Sequence, residues 1–419
     1  MNDAARVFGA RWGEPVDAVG LLRDGMHVAA GLIEPTDLLT ALAKTSIHGA
    51  ATLAVCALGG YVLGQTGRFR MRTAFATPAS RPLSAAGLCE YLPLTFARGG
   101  TFFRAEAFDT VFVRLAPPDE RGLCSYGWAA GYTPELLDVA IARGIPIVAE
   151  IDPAMPRTHS GREVPEAAIA RACPATSPAA ADTPVPPSPH APAIARHLHE
   201  LVPDDATLQV GIGSVPDHAV ALLERRGLGI HTEVLGPGLV SLVSRGFADN
   251  ANKSVDRGLT VATIASIDPS VFAFVNDNPA VQVRGADDVL DPRKIARHGS
   301  LRCINSAISV DLRGQIDAET IRGEQVAGVG GQLDFFRGAG LVDDALRIIA
   351  MESTASGGKH SRIVRTLGDG AVVTSTRYDV DYVVTEYGIA RLAGRTDEQR
   401  ARALLEIAHP DYRDALRRS

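Results

Sequence analysis

Residues 205–223 read DATLQVGIGSVPDHAVALL, and residues 24–42 repeat their pattern in the first half of the chain as DGMHVAAGLIEPTDLLTAL. Both stretches contain an acidic turn, an apolar strand, a loop of small residues, a proline and an amphipathic helix. Pro35 and Pro216 coincide, and proline is favoured in the first turn of a helix. Because every α/β protein contains such units, two interpretations stay open. The similarity is either a general α/β pattern or the sign of two related α/β domains with a site between them.

Further apolar runs, separated by helical periods, extend this pattern. Residues 109–115 (DTVFVRL) and 145–151 (IPIVAEI) are predicted strands. They flank a predicted helix over residues 134–143, with Gly144 as its C-cap. Residues 346–350 form a similar run in the second half. Strands this apolar, separated by helices, predict parallel sheets that are covered on both faces.

The predicted domain boundary is a proline-rich segment. Residues 173–193 read CPATSPAAADTPVPPSPHAPA and contain seven of the 26 prolines. Proline removes a backbone donor and fixes φ, so we expect an extended connector here. It separates an N-terminal α/β domain, residues 1–172, from a C-terminal α/β domain, residues 194–419.

The composition is that of a globular protein. Of 419 residues, 46% are hydrophobic and 21% are charged, which excludes disorder of the whole chain. The formal net charge of −6 argues against a nucleic-acid partner, since such proteins need a basic surface. The most apolar run, residues 51–64, is shorter than the roughly 20 residues of a membrane span, so no membrane partner is predicted. The N-terminus has no signal-peptide pattern and the five cysteines form no CxxC pair, so we expect a cytoplasmic protein.

Two glycine-rich loops are candidates for binding through backbone N–H groups. Residues 211–216 (GIGSVP) lie between a predicted strand and a predicted helix, where N–H groups can approach an anion. Residues 328–338 (GVGGQLDFFRG) have three glycines in four positions, which lets the backbone run close to a ligand. The dinucleotide pattern GxGxxG fails in both, because Pro216 and Leu333 replace the third glycine. Each loop is therefore either a ligand loop or a structural turn.

Glu233 is a candidate catalytic carboxylate. It lies in residues 229–238 (GIHTEVLGPG), at the end of a short apolar segment and before a glycine-rich turn. Carboxylates at the C-terminal ends of strands in α/β sheets are common catalytic positions. Most such side chains are merely solvated, and similar positions are occupied by Glu150, Glu352 and Glu386. No carboxylate–histidine pattern accompanies His197 or His199, so no metal site is predicted.

Several longer motifs, in a fixed order, resemble a known family. They are GIGSVPDHAVALL, LGIHTEV, FVNDNP, CINSAISVDLRGQIDAE, GVGGQLDFFRGA, TSTRYDVDYVVTEYGIARLAGR and IAHPDYR, with looser matches APPDERGLCSYG and TPASR in the N-terminal half. They are similar to the acetyl-CoA hydrolase/transferase family, whose members include 4-hydroxybutyrate, acetate, butyrate and itaconate CoA-transferases. The resemblance implies two related open α/β domains of the CoA-transferase type with the active site between them.

The resemblance also implies a mechanism and a set of site residues. Family members attack an acyl-CoA thioester with a glutamate, and the resulting anhydride becomes a glutamyl-CoA thioester that a carboxylate acceptor resolves. The glutamate of the GIHxE segment is Glu233 here, and covalent catalysis divides one difficult exchange into easier steps. Gly330 and Gly331 match backbone donors to the oxyanions. The residues that match contacts to coenzyme A, or are suited to pair with its phosphates, are Gly211, Ile212, Gly213, Ser214, Val215, Ile308, Gly328, Gly331 and Lys359.

Three departures from the family pattern bear on the substrate. Leu290 stands where many relatives carry an asparagine, which implies a more apolar acceptor site. Ser356 stands where relatives tend to carry a lysine, with Lys359 as a candidate substitute. The turn after Glu233 reads GPG at residues 236–238, where relatives often have SDG.

The sequence therefore predicts an acyl-CoA:carboxylate CoA-transferase for short-chain acyl-CoA and carboxylic acids, with no tightly bound cofactor. Two alternatives stay open. In an acyl-CoA hydrolase, water would resolve the glutamyl intermediate, and a non-catalytic CoA-binding protein would have lost the chemistry. Retention of Glu233 together with an intact GVGGQ sequence disfavours the second alternative. A homodimer is expected by analogy with such folds.

Overall fold

The computed structural model describes most of the chain and divides it into two compact units. The described residues are 3–178 and 186–417. One unit comprises Met1–Asp182 and Thr263–Asp288, and the other comprises Thr183–Ala262 and Val289–Ser419. Each unit is built around its own β-sheet.

These units differ from the predicted domain boundaries. Thr263–Asp288 groups with the N-terminal unit, although the sequence suggested a contiguous C-terminal domain over residues 194–419. The N–H of Gly131, for example, donates a hydrogen bond of 3.0 Å to Oγ1 of Thr263. Such pairing between distant parts of the chain leaves no local mark in composition, so the proline-rich segment was the only boundary that the sequence revealed.

The predicted connector over residues 173–193 is only partly described. Its first residues close the strand Ile169–Pro174, and its last residues open the helix Ala191–Leu201. Residues 179–185 of this connector lie outside the described residues. Regular structure therefore bounds the connector at Pro174 and Ala191.

The described residues of the first unit form a seven-stranded sheet in which every pairing is parallel. Its strands are β1 His27–Ala30, β2 Gly49–Val55, β3 Phe69–Phe75, β4 Cys89–Tyr91, β5 Thr110–Leu115, β6 Ile147–Ile151 and β7 Ile169–Pro174. The order across the sheet is β4-β3-β2-β1-β5-β6-β7. The chain thus starts inside the sheet and builds outward in both directions, as in doubly wound α/β proteins.

The described residues of the second unit form a six-stranded sheet. Its strands are β8 Thr207–Val210, β9 Gly229–Ile230, β10 Leu301–Asn305, β11 Leu346–Ala350, β12 Tyr382–Thr385 and β13 Gly388–Arg391. The order is β9-β8-β10-β11-β12-β13, parallel except for the β12–β13 hairpin. The strand order reverses at β8, and ligands of α/β sheets bind at the carboxyl ends of strands at such a point.

Helices and short strands complete the two units. The helices of the first unit are Asp3–Phe8, Pro15–Ala18, Thr36–Ala43, Leu58–Gln65, Ser80–Ala85, Gly99–Ala105, Thr133–Arg143 and Pro269–Val275, and Ala286–Val289 leads back into the second. Those of the second are Ala191–Leu201, Ser214–Ala221, Pro237–Ser244, Pro292–Ile295, Gln332–Ala339, Asp397–Ile407 and Pro410–Arg417. The 3-10 turns are Gly9–Arg11, Val19–Leu21, Phe96–Arg98 and Glu166–Ala168. The short strands are Leu123–Cys124, Val164–Pro165, Val234–Leu235, Thr260–Ala262, Ile264–Ala265, Val281–Val283, Ser309–Asp311, Ile316–Asp317, Thr320–Ile321, Glu324–Gln325, Thr354–Ala355, His360–Ser361 and Ile363–Val364.

The predicted α/β pattern of parallel sheets is confirmed. The strands β5 and β11 occupy predicted apolar runs, and all residues of β5 are buried. The helix Thr133–Arg143 ends at Gly144, whose φ of 66° lies in the left-handed region that glycine adopts without a Cβ clash. The apolar run over residues 51–64 is not one element, because it divides into parts of β2 and of the helix Leu58–Gln65.

The stretch that occurs twice has the same place in both sheets. Residues 24–42 form β1 and the helix Thr36–Ala43, and residues 205–223 form β8 and the helix Ser214–Ala221. Both β1 and β8 lie inside their sheets, at the point where strand order reverses. This correspondence supports the interpretation of two related α/β domains.

All five cysteine side chains are buried, and none forms a disulfide. Of the helices in the described ranges, none combines the length and the apolar character that a membrane crossing requires. Nor do residues 3–178 and 186–417 contain three or more His, Cys, Asp or Glu side chains grouped to hold a metal ion.

Candidate active site

Glu233 follows the edge strand β9, next to the strand where the order of the second sheet reverses. Its side chain is only 8% exposed. Its Oε2 accepts a hydrogen bond of 2.7 Å from the backbone N–H of Gly331. In the described part of the chain, no residue donates a hydrogen bond to Oε1. One oxygen is thus held by the glycine-rich loop, and the other is available to a reaction partner.

Gly330 and Gly331 approach Glu233 too closely for a larger residue to fit without displacement. A Cβ at Gly331 would lie 2.9 Å from Glu233 Oε2 and 2.9 Å from Leu290 Cδ2. A Cβ at Gly330 would lie 3.2 Å from the same Oε2, and the φ of Gly330 is 55°. Glycine is therefore needed at position 331 for close approach, and at position 330 for its backbone conformation as well.

Burial dominates the electrostatics of the Glu233 carboxyl. Burial raises its pKa to about 7, the hydrogen bond from Gly331 lowers the pKa, and the nearby charge of Asp334 raises it. A carboxyl group with a pKa near neutrality is more basic than an ordinary glutamate, yet a substantial fraction is ionised at physiological pH. Perturbed pKa values of this kind are typical of functional sites.

The first glycine of the loop at residues 211–213 packs against a buried amide pair. Gln209 and Asn305, at the ends of β8 and β10, exchange two hydrogen bonds of 2.8 and 3.1 Å. A Cβ at Gly211 would lie 2.3 Å from Asn305 Oδ1. The glycine at position 211 is therefore explained by close packing of two strand ends.

The rest of this loop opens the helix Ser214–Ala221. Ile212 is 62% exposed, Gly213 has a φ of 144°, and Val215 is buried. The side chain of Ser214 lies outside the described part of the chain. N–H groups at the start of a helix attract anions, so the loop presents both an apolar side chain and backbone donors.

The turn after Glu233 is joined to the same helix. Asp217 accepts hydrogen bonds of 3.0 and 3.1 Å from the N–H of Gly238. A Cβ at Gly236 would lie 2.3 Å from Asp217 Oδ1. The segment after Glu233 and the helix that follows the 211–213 loop are thus fixed to one another.

The remaining predicted contacts lie in three separate elements. Ile308 precedes the strand Ser309–Asp311, and Gly328 lies half-buried at the start of the glycine-rich loop. Lys359 is exposed in the turn before His360–Ser361. Of the residues predicted to form the site with Glu233, Gly330 and Gly331 lie beside its carboxylate in the structure. Within the described ranges, no hydrogen bond or ion pair joins Ile308 or Lys359 to that carboxylate.

The other three candidate glutamates have hydrogen-bond partners of their own. Glu150 lies in β6 of the first unit; its Oε1 accepts a hydrogen bond of 2.7 Å from the N–H of Leu38, and its Oε2 lies 3.8 Å from Nη1 of Arg114. Glu386 accepts hydrogen bonds of 2.9 and 2.5 Å from the N–H and Oγ of Ser353. Glu352 accepts one from a serine hydroxyl. These contacts favour Glu233 over its three competitors.

The side chains that hold the glycine-rich loop and the segment before it were not predicted from the sequence. Glu319 accepts hydrogen bonds from Gln325 Nε2 at 3.0 Å and from Thr374 Oγ1 at 2.9 Å. Gln332 Nε2 donates to Ser375 Oγ at 3.0 Å. Only Gln332, in the GVGGQ sequence, carried a local signal, because Glu319 and Ser375 make these bonds with partners that no sequence motif links to them.

Comparison with known proteins identifies the family of this chain. Residues 268–419 match the acetyl-CoA hydrolase/transferase C-terminal domain. The chain is 36% identical over 391 residues to the 4-hydroxybutyrate coenzyme A transferase of Clostridium kluyveri, across 91% of this chain and 90% of that protein. It is 36% identical to the succinyl-CoA:cyclohexane-1-carboxylate CoA transferase of Geobacter metallireducens, across 82% of this chain and 78% of that protein. The crystal structure of RipA from Yersinia pestis matches with a TM-score of 0.91 and 31% identity, across 99% of this chain and 98% of that one. The chain therefore belongs to the acetyl-CoA hydrolase/transferase family, and it is an enzyme of the CoA-transferase type.

Proposed function

We propose that this enzyme moves coenzyme A from a short-chain acyl-CoA to a carboxylic acid, with Glu233 as the nucleophile. The observation that carries the proposal is the hydrogen bond of 2.7 Å from the N–H of Gly331 to Glu233 Oε2, which leaves Oε1 available. The relatives named above support transfer to a carboxylate, because they are described as transferases that act on 4-hydroxybutyrate and cyclohexane-1-carboxylate.

The reaction begins at Glu233 Oε1. This oxygen attacks the thioester carbonyl, the C–S bond breaks, and the products are CoA thiolate and an acyl–glutamyl anhydride. The thiolate then attacks the glutamyl carbonyl and expels the first carboxylate, which gives a glutamyl-CoA thioester. An acceptor carboxylate reverses both steps and leaves as the new acyl-CoA, so Glu233 is regenerated and no proton is consumed.

In this scheme the backbone N–H of Gly331 stabilises the oxyanion that forms on the glutamyl carbonyl. Its N–H already holds Oε2, the oxygen that becomes negatively charged when thiolate attacks the glutamyl group. A donor fixed before the reaction needs no reorganisation in the transition state, and the loss of one such donor costs roughly 3–4 kcal/mol. Gly330 is proposed to keep the backbone path that aims this N–H at Glu233.

Coenzyme A is proposed to lie along the elements that match the family's contacts. The loop at residues 211–215 offers helix N–H groups and the exposed Ile212, while Ile308 and Gly328 border neighbouring turns. Lys359, on an exposed turn, is proposed to pair with a phosphate in place of the lysine that Ser356 replaces.

The acid site is proposed to be apolar on the side of Leu290. This side chain is fully buried and meets Gly331 beside the nucleophile. An alkyl stem gives up no hydrogen bonds when it enters such an apolar site, whereas a hydroxyl group would lose its hydrogen bonds to water. Acetate, propionate or butyrate should therefore be better acceptors than hydroxylated acids of the same length.

We also propose a cytoplasmic homodimer. The five unpaired, buried cysteines suit a reducing compartment. Twofold homodimers are the commonest closed assemblies of soluble chains. Light scattering of the purified protein measures the assembly directly, and a monomeric mass would contradict this part of the proposal.

The decisive experiment is mass spectrometry of the intact protein after addition of acyl-CoA without an acceptor acid. We expect a long-lived, hydroxylamine-sensitive adduct of coenzyme A, which peptide mapping places on the Glu233 peptide. It should disappear quickly when acetate, propionate or butyrate is added, with formation of the matching acyl-CoA.

The same experiment separates a transferase from a hydrolase. A transferase must keep water from a reactive glutamyl thioester, whereas a hydrolase uses water to resolve it. Steady release of free coenzyme A without acceptor, unaffected by any acid tested, would contradict the transferase assignment and leave the hydrolase.

A further inference from the structure

His231, two residues before Glu233, is buried with an exposed fraction of only 3%. Its ring centroid lies 4.2 Å from that of His298 and 5.9 Å from that of Phe335. Its Nε2 lies 2.9 Å from the carbonyl oxygen of Val289. Because a carbonyl oxygen only accepts, Nε2 carries the proton and donates this bond.

The backbone that carries this ring is held from outside the sheet. At the edge strand β9, Asn250 Oδ1 accepts a bond of 2.8 Å from the N–H of Ile230, and Lys253 Nζ donates one of 2.8 Å to its carbonyl. The stem of Lys253 covers Gly229, where a Cβ would lie 2.3 Å from its Cγ. The N–H of Thr232 also donates a backbone hydrogen bond of 3.0 Å to the carbonyl oxygen of Val261, where His231 forms a parallel bridge. Backbone and side-chain bonds together therefore hold the base from which His231 projects.

Val289 immediately precedes Leu290, the apolar residue beside the nucleophile. Leu290 is fully buried, and its Cδ2 would lie 2.9 Å from a Cβ at Gly331. A shift of the Val289 carbonyl would move the shared peptide and hence the Leu290 side chain. The bond from His231 thus fixes the distance between the nucleophile segment and this apolar wall.

We propose that His231 is a positioning residue that sets the shape of the acid site: through Val289 it holds Leu290 against Gly331, and so selects acids by their apolar stems. This inference rests on the proposed function, in which the acyl group and the acceptor acid bind beside Glu233. It assigns the GIHTE segment a second role besides carrying the nucleophile.

The consequence is an effect that grows with the length of the acid. Acetate has one methyl group, whereas butyrate adds two methylene groups that would extend into the apolar side of the acid site, which Leu290 supports from behind. Each buried methylene contributes to binding in proportion to the apolar area it covers. A displaced Leu290 should therefore weaken the reaction of butyrate more than that of acetate.

The test compares His231→Gln with His231→Asn. The amide nitrogen of glutamine reaches the place of Nε2 and can still donate to Val289, whereas that of asparagine ends near the place of Nδ1. In His231→Asn we expect the ratio of kcat/KM for butyrate to that for acetate to fall about tenfold, which corresponds to the binding contribution of the two extra methylene groups of butyrate. In His231→Gln the ratio should stay within about twofold of wild type, since the bond is retained.

A Leu290→Ala background shows whether His231 acts through this wall. There the His231→Asn change should alter the acid ratio by less than about twofold, because residues that act together are not additive. The proposal would be overturned if His231→Asn lowered kcat/KM equally for every acid and also lowered the melting temperature. It would also be overturned if the ratio of kcat/KM for butyrate to that for acetate shifted in His231→Gln. The glutamine variant alone tests it if His231→Asn does not fold. The CoA adduct on wild-type Glu233 is scored separately, so its absence would contradict the proposed function and not this inference.

Discussion

Two carboxylates at the carboxyl ends of the two sheets differ in the number of backbone N–H groups that they receive. Glu34, after β1, accepts hydrogen bonds from the N–H groups of Ala57, Gly59 and Gly60 at 2.6, 2.7 and 3.0 Å. Glu233, after β9, accepts one, from Gly331 at 2.7 Å. Both side chains are 8% exposed, so burial does not distinguish them.

The comparison separates a structural carboxylate from the proposed nucleophile. Both oxygens of Glu34 are engaged, and they tie the N-terminal turn of the helix Leu58–Gln65 to the segment after β1. Hydrogen bonds to a charged acceptor are strong, and they occupy the lone pairs that a nucleophile needs. Glu233 keeps one oxygen available while the other is oriented. Two carboxylates that both follow strands of parallel sheets thus have different environments, according to how many backbone N–H groups reach them.

The largest predicted effect is on turnover in Glu233→Gln. This change keeps shape but removes the nucleophile, so CoA exchange should fall by about four orders of magnitude or more, as when other covalent nucleophiles are removed. Binding of acyl-CoA, measured by calorimetry, should survive.

Glu150→Gln is the matched control for this change. Burial raises the pKa of Glu150 to about 8, so an uncharged amide changes little at neutral pH. Its turnover should stay within about threefold of wild type. If Glu233→Gln kept about a tenth of the activity, the nucleophile would have to be another residue.

The next effect is expected in Gly331→Ala. The φ of Gly331 is −91°, which alanine adopts, so the change acts through the clash of its Cβ with Glu233 Oε2 and Leu290 Cδ2. Displacement of the donor should lower kcat by about 100-fold, with a small change in melting temperature. Gly368→Ala, whose Cβ would meet no atom within 4 Å, is the control and should leave kcat unchanged. Similar kcat values in both variants, with only the melting temperature lowered at position 331, would indicate an ordinary structural turn.

The fold class could be predicted because its signals are local. The run at Leu346–Ala350 and the helix closed by Gly144 follow from apolar periodicity and glycine conformation. The discontinuous first unit could not, since the packing of Thr263–Asp288 depends on contacts between distant residues.

The candidate site divides in the same way. Glu233 and the glycines at 330 and 331 are carried by motifs, so the sequence indicated them together. The hydrogen bonds of Lys253 and Glu319 depend on where loops come together after folding, and no spacing of residues in the sequence predicts them. The sequence also anticipated an apolar wall at Leu290, but its contact with Gly331 is visible only in the structure.

The pH dependence of adduct formation sharpens the contrast between the two carboxylates. Because burial raises the pKa of Glu233 to about 7, the reactive carboxylate is lost as the pH falls through that value. The single-turnover rate of CoA adduct formation should be flat above pH 8 and fall about tenfold per pH unit well below pH 7. Quenched-flow mass spectrometry with saturating acyl-CoA measures it. A midpoint near that of an ordinary glutamate would show that Glu233 is not desolvated in solution.

The smallest effect is one of stability, and its sign should differ between the two glutamates. The pKa of Glu233 rises on folding from 4.5 to about 7, so this group favours the folded state least when it is ionised. The stability it contributes is present below pH 4.5 and is lost as the pH rises through about 7, a loss of about 3 kcal/mol at pH 8. Glu233→Gln should therefore melt above wild type at pH 8, with a smaller difference at pH 5. Glu34→Gln should melt below wild type at both pH values, because an amide N–H₂ would replace one oxygen that faces backbone donors, at a cost of about 2–3 kcal/mol. Scanning calorimetry of the three proteins at pH 5 and pH 8 decides the matter. If Glu233→Gln were destabilised at pH 8 as strongly as Glu34→Gln, then Glu233 would be a second structural carboxylate, and the difference in N–H donors would not mark the reactive one.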